Sequence, residues 1–403
     1  MSRSEFAVHP FSADPDFDYE IRCAIGNAAG GAGDIGEVLA AVSHVRKADH
    51  EGWYAAWREL ADRTLAIATT SAAGGHRVSA AAAYLRASAY YAVAVNAVSA
   101  LADSDLLAPN FARQEEAWRG FVAHTAVDVD EIEIPYDEGR MPGWYFRAPS
   151  PSGAVLVVVN GSDGSRASLW ASCVSAGLER GYDVLVFDGP GQQSQLFERN
   201  VPFRPDWENV LTPVFETVAA REGVDAARIV VIGISQGSYW TERALAFEHR
   251  YAAAVANPGL VDVSTSWTSQ VPASMLRLLD AGENEKFDRE VALGMRFSPT
   301  TAHTWRFRAR PYGTNGYAET IEAVRRYTVA DVAGQITTPL LILSPEAEQF
   351  WPGQSEQLAA LAPGVSTVVR FTAAEGADEH CQPLAQVLTT QRVFDWLDDT
   401  LAS

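Results

Sequence analysis

The stretch Ile229-Val230-Val231-Ile232-Gly233-Ile234-Ser235-Gln236-Gly237 decides how this 403-residue chain is read. Four consecutive β-branched residues predict a strand buried on both faces, and residues 239–247 directly afterwards have the spacing of a helix. Between the two stands a Gly-x-Ser-x-Gly pentapeptide. A serine at a sharp strand-to-helix turn sits on strained backbone with its hydroxyl clear of the sheet, and glycines two positions to either side avoid the clashes that larger residues would cause. Ser235 is therefore the candidate nucleophile.

Working outward, short β-rich runs alternate with helical segments from about residue 130. They fall at 132–135, 143–147, 154–160, 183–188, 228–234, 252–257, 340–344 and 366–371. The first two flank Asp137-Glu138-Gly139 and predict a hairpin, while the later ones are near-continuous apolar runs, as in a parallel sheet covered on both faces. An eight-stranded, mostly parallel α/β sheet follows. The interval 262–335 is too long for a bare connection and carries many aromatic residues, so it reads as a helical lid over one edge of the sheet. Most of these rings should pack the insertion onto the body. Trp267 and Trp305, with Tyr239 from the helix after Ser235, are the candidate substrate-binding residues. Before residue 130, the helical spacing of Trp53, Trp57, Leu60 and Thr64 and the alanine-rich run 79–100 predict an all-helical block. The expected division is 1–129, an N-terminal helical domain, and 130–403, the sheet domain with its insertion. Residues 26–33, GNAAGGAG, lack the preceding strand and the following Lys-Ser/Thr of a phosphate loop and read as a plain loop.

A serine hydroxyl is a weak nucleophile unless a base takes its proton, and the base needs an acid to hold its tautomer. Of eight histidines, only His380 lies just beyond the last strand, where the chain order serine, acid, histidine requires it; His249 closes the helix after Ser235 and reads as a cap or a solvated residue. The acid should follow the seventh strand, where the loop Ser344-Pro345-Glu346-Ala347-Glu348 offers only glutamates. Glu348 has room to turn back toward the histidine, whereas Glu346 is held against the strand end by Pro345. The oxyanion donors expected are the N–H of Gln236 and one from Asn160-Gly161-Ser162-Asp163-Gly164, with Ser162 ahead of Gly161. Asp188-Gly189-Pro190-Gly191 reads as a structural turn.

Composition narrows the partners. With 51 acidic against 31 basic side chains and a formal charge of −20, nucleic acid and anionic membranes would be repelled. No apolar run approaches the roughly 20 residues of a membrane helix. Residues 1–5 open onto polar sequence without a signal core, so a cytoplasmic location is expected. Cys23, Cys173 and Cys381 have no framework or metal-ligand spacing, and neither metal nor cofactor is expected. The expected partner is a small-molecule substrate.

Taken together, the strand order with Ser235, Glu348 and His380 after strands five, seven and eight resembles the α/β-hydrolase superfamily over residues 130–403. Four further segments are similar to a subfamily with an N-terminal helical domain. They are the block from Trp53-Tyr54-Ala55-Ala56-Trp57 to Ala83-Tyr84-Leu85-Arg86, the FDGPGQ segment 187–192, Phe203-Arg204-Pro205-Asp206-Trp207-Glu208, and Asp378-Glu379-His380-Cys381-Gln382. That subfamily holds the FrsA-like and 2,6-dihydroxypseudooxynicotine hydrolase-like enzymes and the fungal hydrolases that shorten heptaketide pigment precursors. The resemblance implies a serine hydrolase, often a homodimer, whose helical domain helps to cover the site and which acts on esters or on carbon–carbon bonds next to a ketone. Ser238 departs from the glycine of many relatives, and Glu348 from the aspartate of some. An acyltransferase or cyclase with the same triad is the second expectation, and a non-catalytic ligand-binding protein the third.

Overall fold

The computed structural model describes residues 8–137 and 139–402. Five helices come first: α1 (Pro15–Gly26), α2 (Ile35–Val42), α3 (His50–Ala73), α4 (Arg77–Ala97) and α5 (Leu107–His124). Asp14, Asp34 and Asp49 cap the first three by accepting N–H bonds from the first turn. Ala80, Ala83, Ala87, Ala89, Ala92, Ala94 and Ala97 of α4 are buried, so this helix runs between α3 and α5 as the centre of the block. Trp53, Trp57, Leu60 and Thr64 form the buried stripe of α3, as their spacing predicts. The glycine-rich stretch 26–33 turns tightly against the body: a Cβ on Gly30 would lie 2.4 Å from Ala171 Cα.

Eight strands follow: β1 (Val129–Tyr136), β2 (Gly139–Phe146), β3 (Val155–Val159), β4 (Asp183–Phe187), β5 (Ile229–Ile234), β6 (Ala253–Asn257), β7 (Leu340–Pro345) and β8 (Ser366–Phe371). They form one sheet in the order β1-β2-β4-β3-β5-β6-β7-β8. β1 and β2 pair antiparallel, β2 pairs antiparallel with β4, and every later pairing is parallel. The hairpin strands extend further than their apolar runs suggest, because backbone pairing continues through Glu131, Glu133 and Arg140, whose side chains face water. Along β3, Val155, Val157 and Val159 enter one hydrophobic cluster and Leu156 and Val158 another, so the sheet has a core on each face. β8 differs from the expectation of burial on both faces: as an edge strand it leaves Thr367, Val368 and Arg370 exposed.

Leu85, Ala89, Trp118 and Phe121 of the helical block share the second cluster with Trp144, Phe146 and Leu156 of the sheet. The interval between β6 and β7 folds into short helices around a small core of Leu279, Phe287, Ala318 and Ile321. From it, Phe307 packs with Val95, Val98, Leu107 and Phe111 of the N-terminal helices. The insertion and the helical block thus touch each other as well as the sheet. Among the described residues, no helix is long and apolar enough to cross a membrane.

Candidate active site

The chain reverses strand order at β3 and β5, so the loops leaving these two neighbours diverge and open a crevice at their C-terminal ends. Ser235 stands there at φ +56°, the positive angle the strained turn requires. A Cβ on Gly233 would lie 2.5 Å from Gly237 O, so strand and helix approach too closely for any larger residue. The turn is also fastened sideways. Ser235 N–H donates to Asn257 O at 2.7 Å, and Ser238 Oγ donates to Gly233 O at 3.0 Å while accepting from Asn257 N–H at 2.9 Å. Ser238, the departure from the subfamily glycine, is fully buried and ties the turn to β6.

The three residues expected to form a triad are brought together. His380 Nε2 lies 2.9 Å from Ser235 Oγ, and His380 Nδ1 lies 3.0 and 2.8 Å from the two carboxylate oxygens of Glu348. Glu348 also accepts the N–H groups of Phe350 and Trp351, at 2.9 and 3.2 Å. Glu346 points elsewhere and accepts from Ala373 N–H at 3.1 Å. His380 is buried, with the Phe350 ring edge-on at 4.8 Å. Burial alone would lower the basicity of its imidazole, but Cys381 and Glu348 outweigh it and raise it. For Glu348, burial pushes the carboxyl up, yet His380 and the two backbone amides hold it below its ordinary range. The carboxylate and a readily protonated imidazole therefore support each other.

The loop after β3 distinguishes its two candidates. Gly161 passes so close to the nucleophile that a Cβ would lie 3.0 Å from Ser235 Cβ and 3.6 Å from its Oγ. Its N–H, however, donates to Asn160 Oδ1 at 2.8 Å. The N–H groups of Ser162 and Gln236 have no acceptor among the described residues, so both donors are left unpaired. The segment after β4, read from sequence as a turn, does more than turn. Gln192 Nε2 donates to Asn160 O at 2.7 Å and to Gly161 O at 3.3 Å, holding the loop from behind. Arg166 fixes its far end. The fully buried guanidinium stacks 4.0 Å from the Trp144 ring centre and pairs with Asp188 and with Glu115 of α5, tying the N-terminal helices to the loop. FDGPGQ was a visible signal for this brace, since an acid and an amide at a tight turn have few other uses.

The aromatic candidates are displaced from where they were expected. Tyr239 is a core residue: 1% exposed, it donates its hydroxyl to Pro205 O at 2.9 Å and packs on Tyr327, because its side of the helix faces the sheet rather than the crevice. Trp267 and Trp305 meet edge-on at 5.2 Å within the insertion. Between them and the nucleophile turn stands Tyr312, which faces Trp267 at 5.6 Å and accepts a bond from Gln236 Nε2 at 3.3 Å. Beside Ser162 is a cleft lined by Asn96 and Gln193 and by the apolar Leu196, Phe197, Phe307 and Pro311. It is closed down to about 10 Å³, the room of a single water.

A model of the alpha/beta hydrolase family matches residues 156–387, a span that includes Ser235, Glu348 and His380. Hydrolase LUC6 of a Fusarium species is 28% identical over 98% of each chain, and 20-hydroxy-prefusarin hydrolase FUS2 of Gibberella moniliformis is 27% identical over 98% of this chain and 99% of its own. Alpha/beta hydrolase gkaG of Penicillium citrinum is 31% identical over 68% of this chain and 67% of its own. Among solved structures, 2,6-dihydroxy-pseudo-oxynicotine hydrolase shares the fold with a TM-score of 0.73, at 19% identity over 93% of this chain and 95% of that one. The sheet order, the strained serine turn and these matches agree: the chain belongs to the alpha/beta hydrolase family.

Proposed function

We propose that this hydrolase works through a serine nucleophile and an acyl-enzyme, on an ester or on a carbon–carbon bond next to a ketone in a small, largely apolar, polyketide-like substrate. The observation that carries the reading is the continuous chain of hydrogen-bonding contacts from Glu348 through His380 to Ser235. In it His380 takes the Ser235 proton as Oγ attacks the carbonyl carbon, and Glu348 stabilises the imidazolium. The amides of Gln236 and Ser162 then face the developing oxyanion, and water releases the acyl group with His380 as base. The apolar lining beside Ser162 and the relative named for 20-hydroxy-prefusarin support the substrate class. A fluorophosphonate probe should label the protein, and Ser235→Ala should abolish the label. Equal labelling of both proteins would defeat the assignment.

A second reading, transfer of the acyl group to an acceptor within the substrate, is favoured by one observation: Phe307 of the insertion packs against Val95, Val98, Leu107 and Phe111 of the helical block, a cover of the kind that excludes water. Product mass separates the two, because hydrolysis adds one water and cyclisation adds none.

A further inference from the structure

The sheet order separates the two sides of the nucleophile. Ser235 follows β5, and the loops that carry Glu348 and His380 come from β7 and β8 on one side of it, while those after β3 and β4 lie on the other. On the first side His380 is enclosed by the rings of Phe350 and Trp351, at 4.8 and 5.6 Å, and by Tyr19 of α1, whose hydroxyl donates to His380 O at 3.0 Å. On the second side is the closed cleft beside Ser162. Its walls run up to the nucleophile turn. Ser162 follows Gly161, which abuts Ser235, and Pro311 precedes Tyr312, whose hydroxyl lies 3.3 Å from Gln236 Nε2. The two sides have different work in acyl transfer. A group that leaves takes its proton from the imidazolium, so it stands beside His380, while the oxyanion faces the amides of Gln236 and Ser162. The substituent that stays on the carbonyl carbon is left with the remaining direction, away from His380 and past Ser162, where the cleft lies.

The walls define what the cleft accepts. Leu196, Phe197, Phe307 and Pro311 are apolar. The Gln193 side chain is occupied at both ends, accepting from Gln114 Nε2 at 2.6 Å and donating to Gly164 O at 2.7 Å, and Asn96 Nδ2 donates to Asp163 O at 3.3 Å. Of the lining residues only Asp163 is charged, and its charge disfavours an anionic group. About 10 Å³ leaves room for one water or one methyl group. Phe307 helps to close it from the insertion, and the ring is backed by Val95, Val98, Leu107 and Phe111 of the helical block, so it cannot turn aside without breaking that cluster.

We propose that this cleft holds the acyl half of the substrate and that Phe307 limits it to an acetyl group, the rest of the substrate leaving on the His380 side. The proposal rests on the serine-hydrolase reading above and names its acyl group. Ser235 Oγ bonds the acetyl carbonyl carbon, the bond to the leaving atom breaks with its electron pair on that atom, and His380 passes it the serine proton. Water then attacks the acetyl-enzyme and gives a proton to His380, which returns it to Ser235 Oγ as the ester bond breaks. The sum is substrate plus one water giving acetic acid and the protonated leaving group.

The test uses 4-nitrophenyl acetate, butyrate and hexanoate, which share a leaving group, on the wild type, Phe307→Ala and Phe307→Leu. One methylene in a closed apolar pocket is worth about 10- to 200-fold in kcat/KM, so the wild-type ratio of butyrate to acetate should lie at or below about 10⁻². In Phe307→Ala this ratio should rise at least about 10-fold, with a gain for hexanoate as well, and Phe307→Leu, which removes less, should fall between. Ratios taken within one protein cancel any loss of folded enzyme. The ratio of 2-naphthyl acetate to 4-nitrophenyl acetate varies the leaving group alone and should stay within about threefold of the wild type in both variants. A wild type that prefers hexanoate, an acyl ratio unmoved in both variants, or a leaving-group ratio that moves in its place would overturn the proposal. So would failure to cleave the acetate, and fluorophosphonate labelling of wild-type Ser235 then separates the causes: a labelled protein loses only the acetyl assignment, and an unlabelled one loses the serine reading beneath it.

Discussion

Gly237→Ala tests whether the spacing between the serine turn and the β3 loop sets the reactivity of the site. A methyl group there would stand 2.5 Å from Val159 O and 2.6 Å from Asn160 O, where side-chain carbons do not come within 3.0 Å. Both obstacles are backbone, so the helix and the loop must separate by at least the difference, about 0.5 Å. That separation opens between the two free amides, because Gly237 follows Gln236 and the crowded carbonyls lead into Ser162. Two effects on stability oppose each other. Alanine gains at most about 1 kcal/mol over glycine in a helix, less in a first turn, whereas overpacking costs about 1–3 kcal/mol, so a small net destabilisation is expected. A misplacement of about 1 Å costs on the order of 100-fold in rate, so half of that predicts a fall in kcat of roughly 10- to 100-fold with KM little changed. Steady-state kinetics on a 4-nitrophenyl ester, alongside a thermal melt, read both quantities. A variant that keeps kcat within about threefold of the wild type would refute the spacing argument.

Glu348→Gln should lower kcat by roughly 10³- to 10⁴-fold, as for loss of the third member of a triad. Because the Glu348 carboxylate raises the basicity of His380 and the neutral imidazole is the active form, the acid limb of kcat/KM should also move to lower pH in the variant. A limb that stays or moves upward would contradict the geometry. Glu242 is fully buried behind the serine turn, accepts from Leu260 N–H at 3.0 Å with one oxygen, leaves the other without a partner, and is held protonated well above its ordinary range by burial. A raised folded-state pKa contributes stability that is whole below the unfolded value, about 4.3, and is lost as pH rises through the folded one. Urea unfolding of Glu242→Gln should therefore show a stability relative to wild type that improves steadily from acidic to alkaline pH, and a difference constant with pH would count against a neutral Glu242.

Much of the site was legible because its signals are local. The apolar run before Ser235 and the helix after it are properties of neighbouring residues, and the order of Glu348 and His380 along the chain follows from the strands they terminate. Local signals also have a definite limit. Nothing in 344–352 says which glutamate turns inward; the amides of Phe350 and Trp351 and the ring of His380 select Glu348. Likewise, only the side chain of Asn160, folding back on the Gly161 amide, separates Ser162 from Gly161. Helical spacing gives Tyr239 a face but not what the face meets, and here it meets the core.

The sequence by itself determined the strands, the strained serine and the two loops that end in an acid and a histidine, since these depend on backbone preference and burial over a few residues. The tertiary structure alone decided what covers them. Tyr19 and His380 are 361 positions apart, and no periodicity in either segment anticipates their contact. The same holds for Glu115, Arg166 and Asp188, whose charges are tolerable in the interior only because three distant segments bring them into one cluster. Such contacts arise from the packing of whole layers against each other, a balance of shape and desolvation that no single stretch of chain encodes.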